Sequence, residues 1–396
     1  MWSCYGASSP KLIELSCSTP AHGPCSAVSC RSEAIGFRHN VAVSAIALLS
    51  TQLSNPQGGG GFRRRGLRIL GMNIVLIVNP TSGPDNKAQL LPSLIAALKK
   101  QGIDAEVCIT TPEESGQGLA AAAAKTGADL VIAAGGDGTI EAVARGLVHT
   151  QTALGIIPQG TRNNIAASLN IPTDLDQAVQ VLKAGDRRLF DMGKANHHYF
   201  MEVVGVGLEA TLFPHGDSVK EGIKSNLWTA IKSFCLAIKT FFQFKHHGLV
   251  LRFDGRKIYL RTLQVNVCNS SRYGVEFSLA PHAQMDDGKL DLIYMDKPSK
   301  WEHLRQFFAA MRGKHLPHAR LKMYQTTAVE VSSYRPLDVH ADGEYIGTTP
   351  VMVAIIPQAI AICVPPPTLL EAFAPEIVPQ TTSEAADAGQ ATQAGP

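Results

Sequence analysis

The sequence predicts an α/β fold: an N-terminal α/β domain built on a parallel sheet, followed by a β-rich, β-sandwich-like domain. Three observations carry that prediction. From Met72 to about residue 190, short apolar runs alternate with helical segments, the pattern of a parallel sheet covered on both faces. Beyond Asp191, strand-like runs follow one another, and several alternate apolar and polar residues as an antiparallel sheet with one wet face does. Within the first half, Gly135-Gly136-Asp137-Gly138-Thr139 joins the apolar run Ala128–Ala134 to a helix-like segment, Ile140–Leu147, and reads as strand, tight turn and helix.

In chain order, Ile74–Val78 is an apolar strand that ends in the polar loop Asn79-Pro80-Thr81-Ser82-Gly83. Ala88–Lys100 keeps a helical period, with Leu90, Leu91, Leu94 and Leu98 on one face. Ala105–Thr110 is a strand, Gly116–Lys125 an Ala-rich helix, and Asp129–Ala134 the strand before the glycine turn. Leu154–Ile157 is a short strand entering Pro158-Gln159-Gly160-Thr161-Arg162-Asn163-Asn164. The second half offers strands at Tyr199–Val204, Gly248–Phe253, Lys257–Cys268, Leu290–Met295, Ala328–Ser332 and Pro350–Ile356, interrupted by a helical block, Ser225–Phe244. Residues 1–71 keep no period, and the change of character at Met72 is abrupt, so the working protein is expected to start there. Val41–Leu49 has the apolar content of a signal-peptide core but starts late for one. The expected division is a disordered or spurious extension at 1–71, a nucleotide-binding α/β domain at 72–190 and a β-rich substrate domain at 191–356. A segment returning to the first domain follows at 357–372, then a disordered Ala-, Gln- and Thr-rich tail at 373–396.

The composition, 45% hydrophobic and 17% charged over 396 residues, leaves room for two cores. A net charge of +3, with no zinc-finger spacing and no aromatic-basic signature, argues against a nucleic-acid partner but permits attraction to anionic membrane surfaces. No apolar run is long enough to span a bilayer. Cys4, Cys17, Cys25 and Cys30 cluster early without a zinc pattern, and Cys108, Cys235, Cys268 and Cys363 sit in apolar segments as small hydrophobes.

The chemistry lies in the loops. Glycine lets a backbone turn sharply and lets a phosphate approach its amides, and the following helix N-terminus adds partial positive charge. An Asp in such a loop would repel a bare phosphate, so Asp137 suggests an intervening metal ion. Asn79–Gly83, Gly135–Thr139 and Gly160–Asn164 follow three successive strands, whose C-terminal ends share one edge of a parallel sheet, where ligands bind. There is no GxxxxGK[ST], which excludes a Walker-type site.

Over about residues 72–368 the chain resembles the diacylglycerol kinase catalytic-domain family, in its bacterial soluble lipid kinase branch. The resemblance rests on those three loops, on Ala280-Pro281-His282-Ala283-Gln284-Met285-Asp286-Asp287-Gly288-Lys289-Leu290-Asp291-Leu292, and on Val339-His340-Ala341-Asp342-Gly343-Glu344. It implies ATP and Mg2+ as cofactors, transfer of the ATP γ-phosphate to a lipid hydroxyl such as that of diacylglycerol, and a role in phospholipid metabolism. It also implies a cytoplasmic enzyme touching the inner membrane face. Carried over position by position, Asn79 and Thr110 border the nucleotide. Gly135, Gly136, Asp137, Gly138, Thr139, Ile140, Glu141 and Ala142 wrap its phosphates, and Gly160 and Thr161 contact it too. Asp137 organises the catalytic Mg2+, while Asp287, with the carbonyls of Gln284 and Lys289, matches a structural Mg2+ site, and Glu344 matches the catalytic base. A carboxylate that accepts the hydroxyl proton is typically worth about 10²–10⁴-fold in rate.

The bare residues also allow plainer readings: Asp286-Asp287-Gly288 as a turn, and Asp342-Gly343 as a hairpin turn with Glu344 just beyond it. The chain departs from the family pattern at three points. Glu141 and Ala142 stand where Asn and Glu are usual, Asn164 stands for an Asp, and Arg162 for a smaller residue. Alternatives are a kinase of soluble hydroxyls resembling the NAD kinases, a non-catalytic nucleotide or lipid sensor, and an oxidoreductase using Gly205-Val206-Gly207-Leu208-Glu209-Ala210, against which Pro214 argues. In the block 225–244, Lys224, Lys232 and Lys239 share one face beside Leu227, Trp228, Ile231, Phe234, Ile238, Phe241 and Phe242, suited either to a core or to an anionic membrane. His197-His198 and His246-His247 read as surface residues.

Overall fold

The structure, a computed structural model, describes residues 72–82, 87–212, 238–273, 279–310 and 320–373, with residues 232, 236 and 312. Strands β1 (Ile74–Val78), β2 (Glu106–Ile109), β3 (Leu130–Gly135) and β4 (Ala153–Pro158) pair in parallel in the order β2-β1-β3-β4. β1, β3 and β4 are buried at every position, as expected of strands covered on both faces. The cover comes from helices α1 (Lys87–Lys100), α2 (Gln117–Lys125), α3 (Asp137–Leu147), α4 (Asn164–Ser168) and α5 (Leu175–Ala184). One cluster packs Ile77, Val131 and Ala133 on Ile140 and Val143 of α3; another packs Leu76 and Ile132 on Leu94 and Val179. The reading from sequence passed over α5, although Asp174 caps it by accepting the Gln177 N–H at 3.0 Å.

The chain continues through β5 (Asp186–Ala195), β6 (His198–Phe200), β7 (Val203–Gly207), β8 (His247–Phe253), β9 (Arg256–Thr262), β10 (Gln264–Cys268) and β11 (Leu290–Met295). Helix α6 (Lys300–Ala310), β12 (Leu321–Thr326), β13 (Ala328–Ser333), β14 (Asp338–Ala341), β15 (Glu344–Thr348), β16 (Val351–Val364) and α7 (Pro367–Phe373) complete it. A six-stranded antiparallel sheet has the order β12-β11-β10-β7-β14-β15. The parallel sheet extends through β16-β13-β8-β9 to ten strands, with β5 on β16 and β6 on β5. Val206, Val265, Leu292 and Val339 of the six-stranded sheet meet Leu251, Val331 and Val353 of the larger one in a sandwich core.

Three expectations need correction. Tyr199–Val204 is two strands, β6 and β7, separated at Met201-Glu202. Lys257–Cys268 is also two, β9 and β10, which lie in different sheets. The crossing at Leu263 is clamped by the Thr262 hydroxyl, which donates to the Gln264 carbonyl at 3.0 Å and accepts its N–H at 3.3 Å; Thr326 makes the same clamp on Ala328 where the chain crosses back. Pro350–Ile356 is the first half of β16, which bulges between Ile356 and Ile360 and then pairs Ile362 in parallel with Leu154 of β4. The expected boundaries at 190/191 and 356/357 therefore each fall inside a strand.

Strand β7 lies antiparallel between β10 and β14, which removes the βαβ context a dinucleotide-binding Gly205–Ala210 would need. Among the described residues, 232, 236 and 238–243 of the block 225–244 are helical. Residues 1–71, Gly83, Lys224, Leu227, Trp228, Ile231, Phe234, Cys235 and the tail from 374 lie outside the described residues. Cys108, Cys268 and Cys363 are free thiols, the last two buried.

Candidate functional site

At the C-terminal edge of the parallel sheet the three loops are tied together. Asn79 donates its backbone N–H to Ala134 (3.1 Å) and its Nδ2 to the Thr139 hydroxyl (3.0 Å), while its Oδ1 accepts from the Thr81 N–H and hydroxyl. Gln159 N–H donates to the Gly135 carbonyl at 2.8 Å. Gly136 and Gly160 pass so close that a Cβ on Gly160 would lie 2.6 Å from the Gly136 Cα. Asn163, at φ 53°, holds the third loop by accepting the Gly160 N–H and donating to the Gly160 carbonyl. Thr110 is buried beside this edge, with its N–H on the Val78 carbonyl at 2.9 Å.

Gly136 is the N-cap of α3, and Asp137, Gly138 and Thr139 form its first turn. Gly138 and Thr161 face solvent, whereas Ile140 and Ala142 are fully buried, and the Ile140 N–H is spent on the Gly136 carbonyl. Among the expected phosphate-wrapping residues, Ile140 and Ala142 therefore shape the loop from beneath. Asp137 Oδ1 accepts the Ile165 N–H at 3.2 Å, joining the first turn of α3 to that of α4. Burial raises the Asp137 carboxyl, and the N–H groups of Ile165, Asn164 and Asn163, with the Arg162 charge, oppose that rise.

Asp137, Glu141 and Arg145 recur every fourth residue and so line one face of α3. That face meets the β-rich half. Arg145 donates to the Glu344 carboxylate at 2.8 Å and contacts His198 Nε2, which lies 3.7 Å from the same carboxylate. Glu141, Glu202 and Asp342 each bring a carboxylate oxygen within 4.8 Å of the others. Burial, then the charge of Asp342, pushes both Glu141 and Glu202 well above the usual carboxylate range. Burial raises Asp342 as well, against three backbone N–H groups from Met201, Glu202 and Val203 that its carboxylate accepts.

The hairpin expected at Asp342-Gly343 is present: both residues have positive φ, 47° and 89°, as a two-residue turn between β14 and β15 requires, and Glu344 opens β15. The segment Asp286–Lys289 is also a turn. Asp287 Oδ1 accepts the Lys289 N–H, Asp286 pairs with Arg188, and the Gly288 N–H donates to Asp191 Oδ2. Asp287 and Lys289 thus share one turn, with Gln284 just before it, remote in sequence from the face of α3, and the three offer one carboxylate and two carbonyl oxygens. Glu202 and Arg145 escaped the sequence reading. Both had a signal: Glu202 is a lone charge inside the apolar run from Tyr199 to Val206, and Arg145 is in register with Asp137 and Glu141.

Residues 73–195 match the family described as diacylglycerol kinase catalytic domain, and residues 203–364 the one described as YegS C-terminal NAD kinase beta sandwich-like domain. A diacylglycerol kinase of Staphylococcus haemolyticus is 30% identical over 296 residues, which cover 73% of this chain and 87% of that protein. One from Staphylococcus aureus is 31% identical over 281 residues, covering 69% and 87%. A crystal structure of a diacylglycerol kinase from Bacillus anthracis shares the fold with a TM-score of 0.59 at 19% identity, covering 75% of this chain and 98% of that one.

Proposed function

The chain belongs to the diacylglycerol kinase family, and on that premise we propose that it transfers the ATP γ-phosphate to the hydroxyl of a membrane lipid of the diacylglycerol type. One observation carries the reading: Arg145 ties Glu344 to the helix whose first turn is the glycine loop. Asp137, proposed to face the nucleotide, thereby lies on the same face of α3 as Arg145, which holds Glu344, the proposed base, from the other half of the chain. Asp137 and Arg145 are separated by about 12 Å along it.

In this reading the amides of the first turn of α3 receive the phosphates, with Asn79 and Thr161 at their border. The donors at this end, Asp137, Asn79 and Thr139, are oxygen-bearing and suit a hard divalent ion, so Mg2+ fits. A bound Mg2+ would neutralise charge on the transferred phosphoryl oxygens. Glu344 accepts the proton of the lipid hydroxyl at its carboxylate, and Arg145 fixes where that carboxylate stands. Asp287, with the carbonyls of Gln284 and Lys289, is proposed as a structural Mg2+ site.

No helix among the described residues is long and apolar enough to cross a bilayer. The proposed acceptor lies in one, and a surface that could meet it is present among the described residues. Phe242 and Trp301 stand 52% and 71% exposed with their rings 6.4 Å apart, and Lys239, Lys245 and Arg305 are exposed on the same two segments. Aromatic rings beside cations suit an anionic membrane face.

Turnover of ATP with mixed membrane lipids tests the reading. Glu344→Gln should lower lipid phosphorylation about 10²–10⁴-fold with ATP affinity nearly unchanged. Asp137→Asn should instead impair use of Mg2+–ATP, with partial rescue by added Mg2+. A Glu344→Gln enzyme with near-normal turnover would move the base assignment to Asp137.

A further inference from the structure

We propose that Glu141, Glu202 and Asp342 form a binding site for a hard divalent cation, separate from the nucleotide-borne ion and from the Asp287 turn. The three carboxylates come from α3, from the β6–β7 junction and from the β14–β15 hairpin, with an oxygen of each within 4.8 Å of the others. Like charges this close and this buried are unfavourable without a counter-charge. Arg145 is the cation felt by Glu141 and Asp342, and it is already engaged with Glu344; Glu202 feels the charge of Arg162, which does not offset its burial.

Two buried oxygens here lack a hydrogen-bond partner. Glu202 is 3% exposed, and its Oε1 is buried with no hydrogen-bond partner. Asn269 is 0% exposed and held against Glu202: its backbone N–H donates to the Glu202 carbonyl at 2.8 Å and its Nδ2 to the carbonyls of Met201 and Asp191. Its side-chain oxygen is likewise buried and without a partner. A buried acceptor left unmatched is costly, and a bound cation is the group that would satisfy several acceptors at once. A carboxyl that had simply taken a proton would be a donor and would relieve a neighbouring acceptor.

The donor set is oxygen only, three carboxylates, which suits Mg2+ or Mn2+ and disfavours zinc and copper. Asp342 is fixed in place by the N–H groups of Met201, Glu202 and Val203, which gives the site one rigid member. Asp342 is also the least buried residue of the three. Glu141 stands one turn from Asp137, so the bound charge would lie beside the phosphate end of α3. That catalytic position rests on the kinase reading, but the site itself does not.

The test uses the full chain without nucleotide or lipid. Mn2+ is titrated against the protein and free Mn2+ is followed by electron paramagnetic resonance; melting is followed with Mg2+ and with chelator. Glu202→Gln keeps shape and removes one charge. It should raise the Mn2+ dissociation constant at least about tenfold, melt higher than wild type in chelator, and gain less from Mg2+. Glu141→Gln should do the same, and both shifts should persist in an Asp287→Ala background, where the ion proposed at that turn no longer contributes. Wild-type stoichiometry and affinity in both glutamine variants would overturn the site. So would a wild type that binds no Mn2+ and is stabilised only by acid, which is the signature of shared protons. A protein that phosphorylates no lipid yet shows Glu202-dependent Mn2+ binding keeps the cation site and overturns the kinase reading.

Discussion

Gly136 and Gly160 are glycine for one shared reason. Their backbones touch, so a Cβ on Gly160 would meet the Gly136 Cα, which cannot swing aside as a side-chain end can. Gly138, two residues on, has no heavy atom within 4 Å of its missing Cβ. Gly160→Ala should therefore cost about 1–3 kcal/mol in a denaturant titration and weaken ATP binding by calorimetry, because it pushes the second and third loops apart. Gly138→Ala should leave the denaturation midpoint nearly unchanged; equal effects from the two would refute the contact. At this scale the sequence was legible where glycine and aspartate stand at turns. The loop Gly135–Thr139 and the hairpin Asp342-Gly343 lie where the residue types demand. What it hid was the partner of each charge. Glu344 reads as a free acid beyond a turn, and only folding brings Arg145 from 199 residues away to hold it. Glu202 reads as an oddity in an apolar strand until Glu141 and Asp342 surround it.

At the scale of elements, buried strands were the easiest to find, since β1, β3 and β4 bury every residue and must be apolar throughout. Helix α6 was missed because its pattern is inverted. Gln306, Ala309 and Ala310 are its buried residues, while Trp301, Phe307 and Phe308 are exposed. Periodicity arguments assign the large apolar face to the core, and here that face is outside. Trp301, Arg305 and Phe308 fall on one stripe of α6, and Phe242 lies against Trp301. Lys300 fastens the neighbouring segment by donating to the carbonyls of Phe241 and Phe244, so the two segments present one surface. If that surface meets the membrane, Trp301→Ser with Phe242→Ser should lower binding to phosphatidylglycerol-containing vesicles about tenfold or more, as expected from the apolar area withdrawn. Phosphorylation of a detergent-dispersed lipid should change far less. Unaltered sedimentation with the vesicles would leave the patch without that role.

For the molecule as a whole, β16 is the element that turns two halves into one sheet. Val351, Val353 and Ile355 belong to the sandwich core, whereas Ile360, Ile362 and Val364 belong to the core under α3. The sequence showed two compositional halves but not this continuity, because a β-branched run looks the same whether it serves one core or two. The joint is built on Asp191, 2% exposed and passed over as the start of the second half. Its Oδ1 accepts the Gln358 N–H at 2.8 Å, at the β16 bulge where Gln358 takes φ 52°. Its Oδ2 accepts the Gly288 N–H at 2.7 Å, and its own N–H donates to the Met285 carbonyl, so the turn carrying Asp287 hangs from the same residue. Asp191→Ala removes the carboxylate acceptor of two part-buried N–H bonds. Hydrogen bonds to charged groups contribute about 1.5–3 kcal/mol each, so a loss on the order of 3 kcal/mol is expected in denaturant unfolding. Because the joint spans both halves, unfolding of the wild type should be one calorimetric transition, and Asp191→Ala should shift that transition as a unit or split it in two. Two transitions already present in the wild type, only one of them moved by the substitution, would mean that β16 joins the halves in geometry and not in stability.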